Sequence, residues 1–385
     1  MTILQFELED LARGWHLQRL DLQPFNLIVG LSGVGKTMTL RALAQVAAAA
    51  HGGSHRLTHH RWSISTQTPS GVTTWAAETA PGEGLDLPAM SPRANAIAAR
   101  SPRARFIYER LSNAHGTIAE RQGDQVSFNG QHLRIKDDES LVSLLREEEV
   151  LAFAHPLSVI IISEASHRMI SVRGGDWLRS ALERHQTLDS LRADRDLMLV
   201  ERAYILKLKH PDAFEQIKRQ YQDIFESVED VDVGFFDQAP ANPNAPLAGQ
   251  WLDLAIRERH VKPLISSLDM SSGMARTLGH LLELTLAPDG ATILIDEFEN
   301  SLGVNCLDAI TDLIKDRAGR LQFIATSHHP QIINGIPRDW WLIMRRHGSS
   351  VFTQRAQDIP RLATASRLDA FTLLMNAPEY AEGIQ

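Results

Sequence analysis

The octapeptide GLSGVGKT at residues 30–37 constrains this chain more than any other feature. It follows the apolar run FNLIV at 25–29, which reads as a buried strand, and precedes a stretch rich in Ala and Leu over 38–50 with helical spacing. Strand, glycine-rich turn and helix in that order match the phosphate-loop pattern GxxxxGK[ST]. Small residues in the turn let backbone N–H groups converge on phosphate oxygens. Gly30, Ser32, Gly33 and Gly35 form that turn, Lys36 would reach the β- and γ-phosphates, and Thr37 would place its hydroxyl on Mg2+. ATP and Mg2+ are the expected ligands.

A phosphate loop that hydrolyses needs carboxylates nearby, and ATILIDEFEN at 291–300 ends an apolar strand with Asp296 and Glu297. Neighbours in a strand point to opposite faces, so both serve one site only if the chain leaves the sheet there. The expected division gives Asp296 the Mg2+ shell and Glu297 the attacking water. LQFIATSHHP at 321–330 reads as a further buried strand beside the Asp296 strand. At its tip His328 would hydrogen-bond the γ-phosphate, with His329 as the neighbour easily mistaken for it. Over residues 268–287 a helix is expected from about Met274, because Met274, Leu278, Leu281, Leu282 and Leu286 recur at intervals of three and four, with Leu284 off the stripe. Ser271, Ser272 and Gly273 then sit at its N-terminus, where free N–H groups and the helix dipole favour an anion; the other reading is a serine cap.

Taken in order, GLSGVGKT, MSSGM, ILIDEFENSL and ATSHHP resemble the ABC-type ATPases. The specific branch holds RecF, the structural-maintenance-of-chromosomes (SMC) proteins and the stand-alone bacterial AAA ATPases of phage-defence operons. The resemblance implies an α/β fold, an ABC-type P-loop ATPase head with a β-rich lobe and a short helical insertion. It implies that Ser271 and Gly273 are signature residues touching the γ-phosphate bound by the opposite subunit, with Ser272 replacing a signature Gly. ATP would then join heads into a homodimer or higher oligomer. Asn300, Ser301 and Leu302 match the loop at that dimer interface, and His328 matches the switch histidine. Ser32 stands where this branch commonly has Asn. No Q-loop glutamine is assigned, SEASHRM at 163–169 being the candidate region.

The four segments expected are an N-terminal part of the head at 1–50, a β-rich lobe at 51–173, a helical arm at 174–237 and the C-terminal part of the head at 238–385. The lobe shows alternation in GVTTWAAE, RFIYERL and QVSFNGQHL. The arm shows helical spacing at Trp177, Leu178, Leu182, Leu188 and Leu191, and again at Phe214, Ile217, Tyr221, Ile224 and Phe225 after Pro211. At 1.5 Å per residue such an arm folded once reaches only about 40 Å, far less than a chromosome-scale coiled coil. QAPANPNAPLAG at 238–249 reads as a linker or surface loop. Arg93, Arg100, Arg103 and Arg105 lie in a stretch without acids that reads either as a phosphate-backbone contact or as a solvated loop. His51, His55, His59 and His60 have metal-like spacing, but Gly52 and Gly53 oppose a helix, so a polar loop is expected.

A formal charge of -8 excludes a general nucleic-acid wrapper, so any DNA contact would be local. Cys306, the single cysteine, can form no internal disulfide, which suits a reducing cytoplasm. No apolar run approaches the roughly 20 residues that span a bilayer, and no membrane partner is expected. The sequence thus points to an ATP-hydrolysing ABC-type ATPase acting through head dimerisation in a DNA-related or phage-defence complex. The alternatives are a nucleotide-gated scaffold for a separate toxin or nuclease, and a RecF-like DNA-repair ATPase. The stretch after His328 is too short for the nuclease of the overcoming-lysogenization-defect family, so an effector is expected in a separate protein.

Overall fold

The computed structural model describes residues 1–53, 57–81, 104–162, 170–171, 176–194, 196–236, 251–300, 302–363, 370–376, 380 and 383–384. The Q-loop candidate 163–169, the linker 238–249, His55, Arg93, Arg100, Arg103 and Ser301 lie outside the described residues. The chain divides into two compact units, the first of residues 1–161, 290–297 and 317–385, the second of 162–289 and 298–316.

In chain order the first strands are β1 (Thr2–Asp10), β2 (Trp15–Asp21), β3 (Phe25–Val29), β4 (His60–Thr68), β5 (Gly71–Thr79), β6 (Phe106–Asn113), β7 (Gly116–Gln122), β8 (Gln125–Phe128), β9 (Gln131–Leu133) and β10 (Val159–Ile162). Then come β11 (Ile170–Ser171), β12 (Val228–Phe236), β13 (Trp251–Glu258), β14 (Ile265–Ser266), β15 (Thr292–Ile295), β16 (Gln322–Thr326), β17 (Trp341–His347) and β18 (Ser350–Arg355).

Among the described residues the first unit is built on one sheet in the order β10-β15-β16-β3-β17-β18-β2-β1-β4-β5-β6-β7-β8-β9. The pairs β15/β16, β16/β3 and β3/β17 are parallel. Every residue of β3, β15 and β16 is buried. That burial explains why these strands read as unbroken apolar runs: parallel strands are covered on both faces. The helix Lys36–Ala50 covers this region, placing Leu40, Leu43 and Val46 in one core with Ile28, Leu294 and Ile324. From β4 to β9 the pairing is antiparallel throughout, giving the expected β-rich lobe, which continues the phosphate-loop sheet through β1. Within the lobe Trp62 and Trp75 meet edge to face at 5.3 Å. A wholly buried ion pair lies beside them, Arg121 Nε standing 2.8 Å from Glu109 Oε2. The N–H of Leu141 donates to the other Glu109 oxygen at 2.9 Å, and Arg121 also donates to the carbonyls of Lys136 and Glu139.

The second unit carries a small sheet in the order β11-β13-β12, with β14 also on β13. Its helices are Asp176–Arg184, Leu188–Ala193, Leu199–Lys209, Pro211–Ile224, Ser272–Leu286 and most of Val304–Arg317. Pro211 opens its helix at the first turn, where its missing N–H costs nothing. The structure differs from the expected arm. Ala181, Leu191, Phe214, Ile217 and Tyr221 share one core with Leu278, Leu281, Leu282 and Leu286 of the helix Ser272–Leu286, so these helices fold onto that helix instead of standing out. Their apolar stripes need cover, and that helix supplies it. Leu284, off the stripe in the sequence, is buried as well, because the helix is enclosed on more than one face. No described helix is long and apolar enough to cross a membrane.

Candidate functional site

The loop after β3 takes its shape from glycine. A Cβ on Gly30 would lie 2.6 Å from the carbonyl oxygen of Met344, closer than real atoms approach, so only glycine fits there. Gly33 and Gly35 have φ of +85° and +112°, a region side chains disfavour. Gly35 caps the helix Lys36–Ala50, which has no side-chain cap and no acid in its first turn. Its leading N–H groups and dipole are thereby available to an anion. Lys36 is buried, its ammonium donating to the carbonyls of Gly30 at 2.7 Å and Leu31 at 2.9 Å within the curve of the loop. Ser32 and Gly33 are exposed at the loop's crest. Behind it, the Arg346 guanidinium on β17 donates to Gly33 O at 3.2 Å.

The carboxylates meet this loop two strands away. The Thr37 hydroxyl donates to Asp296 Oδ1 at 3.2 Å, joining the helix start to the tip of β15. The Thr326 hydroxyl at the tip of β16 donates to the same oxygen at 2.8 Å, and itself accepts the Glu297 N–H at 2.8 Å. The strand stops at Ile295, and Glu297 has φ of +48°. A left-handed turn at a residue with a side chain costs about 1–2 kcal/mol. It ends the alternation of the strand, which lets consecutive residues Asp296 and Glu297 serve one place, with Asp296 half-buried and Glu297 exposed. A hydroxyl and a carboxylate oxygen beside a glycine cradle form the hard-oxygen donor set that suits Mg2+ next to a phosphate.

His328 is half-buried, two residues past Thr326. His329 is occupied differently: it caps the short helix Pro330–Gly335, its N–H bonded to Ser327 Oγ at 3.0 Å and its Nδ1 accepting the Gln331 N–H at 3.3 Å. Ser271, Ser272 and Gly273 belong to the second unit. Ser271 is the N-cap of the helix Ser272–Leu286, its hydroxyl accepting the Met274 N–H at 3.3 Å, and both serines are exposed. The cap is therefore formed, and the helix terminus faces solvent.

Elsewhere, Arg105 pairs with Asp137 at 2.7 Å. His51 follows the end of the phosphate-loop helix, His59 has φ of +57°, and His60 opens β4 within 3.8 Å of Asp10. Among the described residues no group of three or more His, Cys, Asp or Glu gathers as for a metal ion. Sequence reasoning passed over Thr326 and Arg346. Thr326 sits one residue beyond the register pair Ile295–Ala325, so it stands level with Asp296, a relation visible only once β15 and β16 are paired.

A phosphate-loop strand among parallel neighbours, an acidic pair on the next strand but one, and an antiparallel lobe continuing the same sheet define an ABC-type ATPase head. Residues 25–334 match the family described as "AAA domain, putative AbiEii toxin, Type IV TA system", and the chain belongs to that family. Among solved structures it is similar to an SMC head bound to the C-winged helix domain of ScpA, with a TM-score of 0.52, 14% identity, and coverage of 92% of this chain and 97% of that one. An SMC head domain from Thermotoga maritima gives a TM-score of 0.43 at 11% identity, covering 92% and 99%. An SMC head with an extended coiled coil, bound to the C-terminal domain of ScpA derived from Pyrococcus furiosus, gives 0.43 at 12%, covering 94% and 98%. At 14% identity the first of these likenesses is one of fold. No curated protein matches the chain.

Proposed function

We propose that this chain binds ATP with Mg2+, hydrolyses it, and is joined to a second copy of itself by the bound nucleotide. The observation that carries this reading is the meeting of the Thr37 hydroxyl and the Asp296 carboxylate beside the glycine cradle, with Glu297 turned out of its strand next to them. Gly30, Ser32, Gly33 and Gly35 shape a nest of N–H donors for the phosphates, and Lys36 adds the compensating charge. Thr37 and Asp296 would hold Mg2+, which when bound neutralises charge on the β- and γ-phosphates. Glu297 accepts a proton from the attacking water, and His328 hydrogen-bonds the γ-phosphate. Ser271, Ser272 and Gly273 lie in a separate compact unit at an exposed helix terminus with no acid in its first turn, which suits contact with the nucleotide of a partner head.

The SMC head with a TM-score of 0.52 is described with the C-winged helix domain of ScpA bound, which supports a protein effector for this chain too. The family description names a toxin–antitoxin system, so the setting proposed is a cytoplasmic defence complex in which nucleotide state controls a separate effector, with DNA contact confined to a local patch. Size-exclusion light scattering of Glu297→Gln with and without Mg-ATP tests the reading. Mass should double with ATP, and adding Ser271→Arg should abolish the doubling. A mass indifferent to ATP would overturn the dimer and leave a nucleotide-gated scaffold.

A further inference from the structure

Asp253 lies in the middle strand of the second unit's sheet, between β11 and β12, and is wholly buried. A carboxylate in that place is costly unless both oxygens find donors. Two consecutive hydroxyls donate to it: Ser266 Oγ to Oδ2 at 2.5 Å and Ser267 Oγ to Oδ1 at 2.6 Å. Consecutive residues of a strand point apart, so both reach one carboxylate only because the chain turns away at the end of β14.

That turn leads directly to Ser271. The Ser266 carbonyl accepts the N–H groups of Asp269 at 2.9 Å and Met270 at 3.1 Å, and Ser266 Oγ accepts that of Leu268 at 3.3 Å. Met270 is buried in the core shared with the helix, whereas Leu268 is 72% exposed. The turn is thus pinned at its start by Asp253 and at its end by Met270, and its crest faces outward beside Ser271. Leu252 and Leu254 on either side pack into the unit's apolar core, and Asp253 between them points to the other face of the strand, where it meets the hydroxyls of the turn.

We infer that Asp253, through Ser266 and Ser267, is the positioning residue that holds the turn 266–270 in the shape presenting Ser271 and Ser272 to a partner head's nucleotide. This rests on the trans contact proposed above. Asp253 touches no substrate; it acts through the two serines.

The test compares Asp253→Ala, Asp253→Asn, Ser267→Ala and the double variant Ser266→Ala/Ser267→Ala, all in the Glu297→Gln background. Three quantities are read: amide hydrogen exchange at 268–274, affinity for a fluorescent ATP analogue, and the protein concentration at which Mg-ATP drives dimerisation. Asp253→Ala and the double variant should speed exchange at 268–274 about tenfold and raise the dimerisation concentration about tenfold, with analogue affinity and exchange along β13 unchanged. Asp253→Asn keeps an acceptor and should restore both. Should Asp253→Ala fail to fold, Ser267→Ala carries the same readouts with a smaller effect. Unchanged exchange at 268–274 in these variants overturns the inference, as does exchange that rises equally along β13. If the parent itself fails to dimerise, the trans contact falls, while the exchange data still decide whether Asp253 holds the turn.

Discussion

Thr326 and Asp296 are bonded across adjacent parallel strands, the threonine hydroxyl donating to Oδ1 at 2.8 Å while it accepts the N–H of Glu297. One buried hydroxyl therefore sets the orientation of the carboxylate that Thr37 also reaches and fixes the backbone where the chain turns out of the sheet.

Thr326→Val keeps the shape of this residue and removes both bonds. ATPase turnover should fall about 10–100-fold, as when a partner behind a metal ligand is lost, and stability by about 1–3 kcal/mol from the stranded Glu297 N–H. Thr326→Ser keeps the hydroxyl and should recover most of the turnover. Steady-state ATPase assays of the two variants check this; equal losses would mean that keeping the hydroxyl is not enough and that its two bonds do not account for the effect.

Much of this arrangement was legible in the sequence because it is local. The strand, glycine turn and helix around Lys36, the acidic pair closing an apolar run and the polar tip TSHHP each announce themselves within ten residues, and β16 does lie beside β15 as expected. What could not be read depends on pairing between distant segments. The level of Thr326 with Asp296 follows from register, and the bond from Arg346 to Gly33 spans most of the chain. The amphipathic stripe of Pro211–Ile224 was plain, but a stripe says only that some surface must cover it. That the cover is the helix behind Ser271 is a tertiary fact.

The left-handed backbone at Glu297, with φ of +48°, makes a second prediction. In a helix or strand, glycine is less stable than alanine, but here the order should invert. Glu297→Gly should be more stable than Glu297→Ala by about 1 kcal/mol, because alanine keeps the Cβ strain that glycine releases. Chemical denaturation of both variants measures the difference, and alanine proving equal or better would show that the turn stores no strain.

Gly30→Ala would bring a Cβ to 2.6 Å from the Met344 carbonyl oxygen, which belongs to a strand and cannot swing aside. The loop must shift instead. A stability loss of about 1–3 kcal/mol is expected, together with at least about tenfold weaker binding of an ATP analogue. Calorimetric titration and thermal melting check the two effects separately. Full affinity in a stable protein would show that the loop tolerates the shift and that its shape is not what holds the phosphates.

The last prediction concerns pH and the buried pair in the β-rich lobe. Burial pushes the Glu109 carboxyl from 4.5 up to about 7, opposed by the Arg121 guanidinium and the Leu141 N–H. An acid whose proton is held more tightly in the folded state contributes stability below its unfolded value and loses it as pH rises through the folded one. For Glu109 that window runs from about pH 4.5 to about pH 7. Arg121→Met, close in volume, removes the opposing charge and leaves the carboxylate alone in the core. Above pH 7 the variant should lose about 3–5 kcal/mol, the usual cost of stranding one member of a buried pair. At pH 5 Glu109 can take up a proton and the loss should shrink. Glu109→Gln/Arg121→Met, with no ionisable group left there, should show no such dependence. Urea unfolding of the three proteins at pH 5 and pH 8 gives the comparison. A penalty for Arg121→Met that is the same at both pH values would mean that the guanidinium acts through its bonds to the Lys136 and Glu139 carbonyls and not through Glu109.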